Sequence, residues 1–422
     1  MDKQPLISGL VTRRVTATAW ESVNGFRVTL INGPRQSGKT TLLRELYQKT
    51  GGSFYSLDSD TLLAAAKADP IAFVSGDAKF IYIDEVQRGG DTLVRAIKQV
   101  VDQPDNRIHF VLSGSANFLM IPGIAESLAG RVAIIEVWPF SQGEITGTSD
   151  RFLTQLLEDA TNLVQPKYPT LDRESYFERI ILGGYPEPLR FSSSKLRQTW
   201  FDSYIRTMTQ RDIRELSHLR QSTDLTRLIR YLSGETAHEL VKSKLSQALG
   251  IDRHSVSSYL PLFEMTYLTR ELSAWSRNPL GKVTRTPKIH LCDTGIAAHL
   301  TGVDVGSLAG AISPLRGQLV ETFVHNEILK QSSWIGGGIE MFHWRDREGA
   351  EIDLIIETPD GNIFAVETKS SSTVAAGDFK WLRKLEQKLG DQFKAGIVFY
   401  LGEHAVSFGD KFSALPLSAL WF

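Results

Sequence analysis

The sequence predicts an α/β protein whose first third is a parallel sheet with helices on both faces. Three observations point there. Residues 80–84, 108–113 and 132–137 are short apolar runs, as expected of strands covered on both sides. Residues 26–32 and 53–57 read as two further strands. Helical spacing fills the gaps near 39–48, 60–68 and 91–102, and strand–helix alternation makes the strands parallel.

The rest of the chain changes character. Residues 149–235 show long stretches of helical spacing, interrupted by Gly183-Gly184-Tyr185-Pro186. Residues 236–312 read as three short helices followed by strands at 268–275 and 287–292. Residues 313–422 open with a helix near 316–331. Strands near 339–345, 350–357 and 362–369 follow, then a helix near 378–389 and a strand near 394–401. A length of 422 residues accommodates roughly three domains of ordinary size. We therefore expect a core at 1–148, a helical domain at 149–235, a helix–turn–helix domain at 236–312 and a second α/β domain at 313–422.

Composition sets outer limits. With 42% hydrophobic and 23% charged residues the chain is neither mainly disordered nor collagen-like. Forty-seven Lys and Arg against 48 Asp and Glu exclude a uniformly basic nucleic-acid coat. A single cysteine, Cys292, excludes an intrachain disulfide and a Cys-rich zinc module. Its expected role is that of a small buried apolar residue. No apolar run spans a bilayer, and residues 1–14 lack a signal-like apolar stretch, so a cytoplasmic protein without membrane contact is expected.

The sharpest motif is Gly33-Pro34-Arg35-Gln36-Ser37-Gly38-Lys39-Thr40, followed by Thr41, between a predicted strand and a predicted helix. It matches the P-loop pattern G-x-x-x-x-G-K-[ST]. Its glycines let backbone N–H groups converge on phosphate oxygens, and the helix adds its positive end. Lys39 would reach the β- and γ-phosphates of ATP and Thr40 would ligate Mg²⁺. The strand at 80–84 ends in Asp84-Glu85, placing Asp84 near the Mg²⁺ and Glu85 near the attacking water. The next strand ends in Ser113-Gly114-Ser115, where Ser115 is the first candidate to position that water and Ser113 the second. Arg131, in Ser127-Leu128-Ala129-Gly130-Arg131, is the candidate arginine finger toward a neighbouring subunit.

Together these features resemble an AAA+ ATPase. Pro139-Phe140-Ser141 and Gly184-Tyr185-Pro186 narrow the resemblance to a prokaryotic family that joins such a core to a C-terminal domain of uncertain role. The resemblance implies a helical lid whose Pro186 packs on adenine, with Arg190 and Arg211 as candidates for a second sensor. It also implies an oligomer, such as a ring of six.

Two further constellations stand downstream. A helix at 242–251 and a second at 252–268, separated by Gly250, have the spacing of a winged helix–turn–helix. Arg253, His254 and Ser257 are its candidate DNA-reading residues. Arg277, Lys282, Arg285 and Lys288 are the candidate phosphate contacts of its wing. Residues 176–290 carry 18 Lys/Arg against 11 Asp/Glu, a local charge of +7. Further on come Glu321 on a helix, Asp353 on a strand and Glu367-Thr368-Lys369 ending the next strand. Strand alternation puts Glu367 and Lys369 on one face. This order resembles the PD-(D/E)xK nuclease pattern, in which Glu321, Asp353 and Glu367 would hold Mg²⁺ and Lys369 would orient water. The leading expectation is a DNA-associated ATPase. The rivals are an ATP-controlled switch that binds protein partners and an ATP-gated, metal-dependent nuclease.

Overall fold

The computed structural model describes residues 6–115, 130–165, 167–213, 223–310, 312–346 and 348–422. They divide into two compact units. One holds Leu10–Pro139 with Met265–Tyr267; the other holds the N-terminal segment through Gly9, Phe140–Glu264 and Leu268–Phe422.

The first unit is built on β1 (Val28–Asn32), β2 (Ser53–Ser56), β3 (Phe80–Asp84), β4 (His109–Gly114) and β5 (Val132–Glu136). Their order is β2-β3-β4-β1-β5, and every pair is parallel. Every residue of β1 and β3 is buried, which is why these strands read as continuous apolar runs. The helix Gly90–Val101 turns Leu93, Val94, Ile97 and Val100 onto the sheet, at the i, i+3, i+4 spacing of one apolar stripe. Strand β1 starts two residues later than expected, because Phe26 closes the preceding helix through its N–H to the Ser22 carbonyl. The fold of this unit, strand by strand, is the one the sequence predicts.

The second unit begins with helices Phe152–Asp159, Arg173–Leu182, Pro186–Arg190, Ser194–Thr207 and Thr223–Gly234. A three-stranded antiparallel sheet follows, β6 (His238–Glu239), β8 (Lys288–Leu291) and β7 (Thr269–Leu272), in the order β6-β8-β7. Helices Lys242–Leu249 and Arg253–Met265 lie between β6 and β7, with Gly250 in the left-handed conformation at the turn (φ 66°). This region departs from expectation in two ways. A short strand, β6, stands where a helix was expected, and the helix Pro279–Thr284 interrupts the β7–β8 connection. Asn278 caps that helix by accepting from Leu280 N–H, a local signal strong enough to nucleate a turn inside the expected wing.

The chain continues through helices Thr294–Thr301, Val305–Ala309 and Arg316–Ile335 into a mixed six-stranded sheet. Its strands are β9 (Glu340–Arg345), β10 (Glu351–Glu357), β11 (Ile363–Lys369), β12 (Phe393–Tyr400), β13 (Val406–Ser407) and β14 (Phe412–Pro416). The order is β13-β14-β12-β11-β10-β9, with β11, β12 and β14 mutually parallel. Strands β13 and β14 are additions to the predicted set. One apolar core runs from Phe152 to Trp421, and a second, with Trp344, Ile352, Leu382 and Phe412, covers the other part of the six-stranded sheet. Cys292 is buried, as expected. Among the described residues, no helix is long and apolar enough to cross a membrane.

Candidate functional site

The first site lies where β1 and β3 end. Gly33 follows β1 at φ 145°, and a Cβ there would meet the Val137 carbonyl oxygen at 2.4 Å, so only glycine fits. Gln36 (φ 61°) and Gly38 (φ 102°) are also left-handed, and this turns the loop back on itself. Helix Lys39–Thr50 starts at Gly38, so its free N–H groups and positive end face the loop. The Lys39 ammonium is buried and donates to the Pro34 carbonyl at 2.7 Å. Burial pushes its pKa down to about 8, although Glu85 and Asp84 pull it up. Among the described residues Ser37 Oγ and Asn32 Oδ1 are buried without a hydrogen-bond partner. A buried cation and unspent polar atoms around a backbone cradle fit a bound phosphate chain.

Thr40 and Asp84 meet across the loop, the hydroxyl 3.1 and 3.2 Å from the two carboxylate oxygens. A hydroxyl beside a carboxylate, both hard oxygen donors, fits a hydrated Mg²⁺. Glu85, directly after β3, is itself left-handed (φ 54°), so its side chain parts from that of Asp84. Its carboxylate accepts from Ser115 Oγ at 3.2 Å and from Gln87 Nε2. Ser113 Oγ donates to Asp84 and accepts from the Glu85 N–H. Thus Ser113 is bonded to the Asp84 carboxylate and the Glu85 N–H, and Ser115 to the Glu85 carboxylate.

Two residues escaped the sequence reading. Gln87 bridges Glu85 and Ser115, donating to the latter at 3.1 Å. Arg13, buried, donates to the Ser37 carbonyl and to the Trp138 carbonyl, each at 2.6 Å, and so pins the phosphate loop to the segment after β5. Gln87 could have been found as a polar side chain two positions past the acid pair. Arg13 carries no local signal, because its partners are 24 and 125 positions away.

Arg131 forms an ion pair with Asp102 at 2.5 Å, with both side chains more than a third exposed. Residues 127–129 of its motif lie outside the described residues. Pro186 opens the helix Pro186–Arg190, just after a break held by Asp293, whose carboxylate accepts from Gly184 N–H at 2.7 Å. Arg190 donates to the Gly9 carbonyl, and Arg211 sits in a π-helical turn, Met208–Asp212.

On the helix Arg253–Met265, Arg253, His254 and Ser257 are exposed along one face. The basic residues of the expected wing are engaged differently from what the sequence predicts. Lys282 pairs with Glu357 at 2.6 Å, Arg277 donates to the Lys388 carbonyl at 3.0 Å and Arg285 to the Arg345 carbonyl at 3.4 Å. Lys288 is no phosphate contact at all: its side chain is 1% exposed. The interrupting helix and β8 direct Lys282, Arg285 and Lys288 onto the six-stranded sheet and Arg277 onto the helix Lys380–Leu389.

The structure brings Glu321, Asp353, Glu367 and Lys369 to one cavity, joined by Glu351, which the sequence reading passed over. Glu351 lies two positions before Asp353 on β10, so strand alternation should have flagged it. The expected Mg²⁺ site is nevertheless corrected. The Lys288 ammonium stands 2.6 Å from Glu321, 2.7 Å from Glu351 and 3.6 Å from Asp353. Asp353 also accepts from Thr368 N–H and Oγ1 at 2.8 and 2.7 Å, and Lys369 pairs with Glu367 at 2.8 Å. Among the described residues no group of three or more acids, histidines or cysteines is disposed to hold a metal. Burial works to lower the Lys288 pKa, yet Glu321, Asp353 and Glu351 outweigh it and hold the ammonium charged. Burial, reinforced by Asp353, pushes Glu367 up to about 8.

Comparison with known proteins follows this division. Residues 25–146 match a family model described as AAA domain. Residues 173–306 match Domain of unknown function (DUF8612), and residues 316–420 match Domain of unknown function (DUF4143). Uncharacterized proteins of Mycobacterium tuberculosis and Mycobacterium bovis are each 28% identical over 392 residues, covering 92% of this chain and 80% of theirs. A Walker-type ATPase of Pyrococcus abyssi is 16% identical over 70% of this chain and 99% of its own (TM-score 0.41). The RuvB Holliday junction branch migration motor of Thermotoga maritima is 16% identical over 64% and 91% (TM-score 0.27). The AAA-domain match spans the parallel sheet, Lys39 and Asp84, so the N-terminal domain is a P-loop ATPase domain of AAA type.

Proposed function

We propose that the chain binds ATP at the loop Gly33–Thr41 and hydrolyses its β–γ bond at the end of β3. The observation that carries this reading is the meeting of Lys39, Thr40, Asp84 and Glu85 at the ends of β1 and β3, two strands of one parallel sheet with β4 between them. Lys39 would neutralise β- and γ-phosphate charge as its buried ammonium leaves the Pro34 carbonyl. Thr40 and Asp84 would hold Mg²⁺, which supplies further neutralisation of the phosphate oxygens when bound. Glu85, oriented by Ser115 and Gln87, would accept the proton of the attacking water. Arg131 would act in trans within an oligomer once released from Asp102.

DNA is the polyanion proposed to couple to this cycle, on the strength of the exposed Arg253, His254 and Ser257 and the local excess of positive charge. A second reading, an ATP-controlled switch for protein partners, is favoured by the engagement of Arg277, Lys282, Arg285 and Lys288 within the chain. ATP turnover, measured alone and with single-stranded, duplex and four-way-junction DNA, separates them. Stimulation by one DNA, falling steeply with salt, supports DNA coupling. Turnover indifferent to every DNA supports the switch.

A further inference from the structure

We infer that the carboxylate cavity of the C-terminal sheet is a receptor for a tethered primary ammonium, that of Lys288, which takes the place a divalent cation would need. Three features support this. Lys288 is presented by β8, and its Nζ is within 2.7 Å of carboxylates from the helix Arg316–Ile335 and from β10 at once. Mg²⁺ demands oxygen ligands at about 2.0–2.1 Å in octahedral array. A dication drawn that close to the same oxygens would collide with, and be repelled by, the ammonium already among them.

The second feature is that Lys288 is held in place. The Trp275 N–H donates to the His343 carbonyl at 2.6 Å and the His343 N–H to the Ser273 carbonyl at 3.0 Å, joining the edge beyond β7 to β9. The Lys282–Glu357 pair lies on the same seam. The third is that Asp353 is already served within the chain by Thr368, and one oxygen of Glu367, Oε1, by Lys369, its Oε2 being buried without a hydrogen-bond partner. The cavity thus works as a dock that fixes the helix–turn–helix segment to the C-terminal sheet, and the chain makes no metal-dependent cut in a phosphodiester through it. This assignment is independent of the ATP site.

Mn²⁺ binding to the full chain without nucleotide, counted by electron paramagnetic resonance, tests it. Wild type and Asp353→Asn should bind the same number of ions, since any ion at Thr40 and Asp84 is common to both. Lys288→Met should gain one site, which Asp353→Asn in the same chain removes. If wild type binds one ion more than Asp353→Asn, the inference is wrong. A folded Lys288→Met chain that gains no site also overturns it. Should Lys288→Met fail to fold, the comparison of wild type with Asp353→Asn decides by itself.

Discussion

Lys39 shows how one residue can couple binding to protonation. Its pKa is held near 8 by burial in the nucleotide-free state, and phosphate oxygens would raise it. ATP binding at pH 8 should therefore take up about half a proton, and close to none at pH 6.5, where the ammonium is already formed. Calorimetry in buffers of different ionisation enthalpy reads this directly. Asp150 makes the opposite kind of statement. It is buried and left-handed (φ 51°), accepting from Ser141 Oγ and Gly143 N–H, and burial pushes its pKa up to about 7, with Glu327 adding to it. A carboxyl raised in the folded state destabilises the protein above pH 7, and the cost shrinks as pH falls from 7 toward 4. Asp150→Asn keeps an acceptor for Gly143 and tolerates the left-handed backbone. It should raise the melting temperature at pH 8, by roughly 2–4 °C per kcal/mol recovered, with the gain fading as pH is lowered. A gain independent of pH would contradict the assignment of a buried charge.

At the scale of elements, the three-stranded sheet and the six-stranded sheet are coupled through charge. Removing the cation from a buried cluster leaves uncompensated carboxylates, so Lys288→Met should cost about 3–5 kcal/mol in urea unfolding. Added Mn²⁺ should restore part of that loss in the variant and change wild type little. The strands of the first unit were legible because apolar runs ending in Gly-Lys-Thr or Asp-Glu combine a period with a chemistry. Glu367 and Lys369, at the end of β11, were legible for the same reason, and Glu321 and Asp353 by their order on the preceding helix and strand. What escaped was set by tertiary partners. Lys288 reads as a basic wing residue until β8 aligns it with β10, and no local pattern announces that register. Strand β14 escaped because its pairing with β12 is parallel although only residues 401–411, without a helix, join the two, less than the crossover such a pair usually takes. The helix Pro279–Thr284 was within reach, since Asn278-Pro279 is a start signal that the expectation of a continuous wing obscured.

For the molecule as a whole, oligomeric action turns on Arg131. Its exposed pair with Asp102 is worth at most about 1 kcal/mol to folding. Arg131→Ala should therefore leave stability nearly unchanged. If the residue acts in trans, Arg131→Ala and Lys39→Ala chains should each be inactive, and mixing them should recover part of the activity. Full activity of Arg131→Ala alone would reduce Arg131 to its surface ion pair. The AAA-type core was legible almost whole from the sequence, whereas the surface it drives was not, because exposed charge names a class of partner without naming a structure.

If Glu85 activates water over a phosphate held by Lys39, the two residues should fail in different ways. Phosphate release from ATP·Mg²⁺ by wild type, Lys39→Ala and Glu85→Gln, alongside nucleotide binding to each, tests this. Lys39→Ala should lose both binding and turnover. Glu85→Gln should retain binding while turnover falls by about 10²–10⁴-fold. Hydrolysis that survives both substitutions would place the reaction elsewhere in the chain.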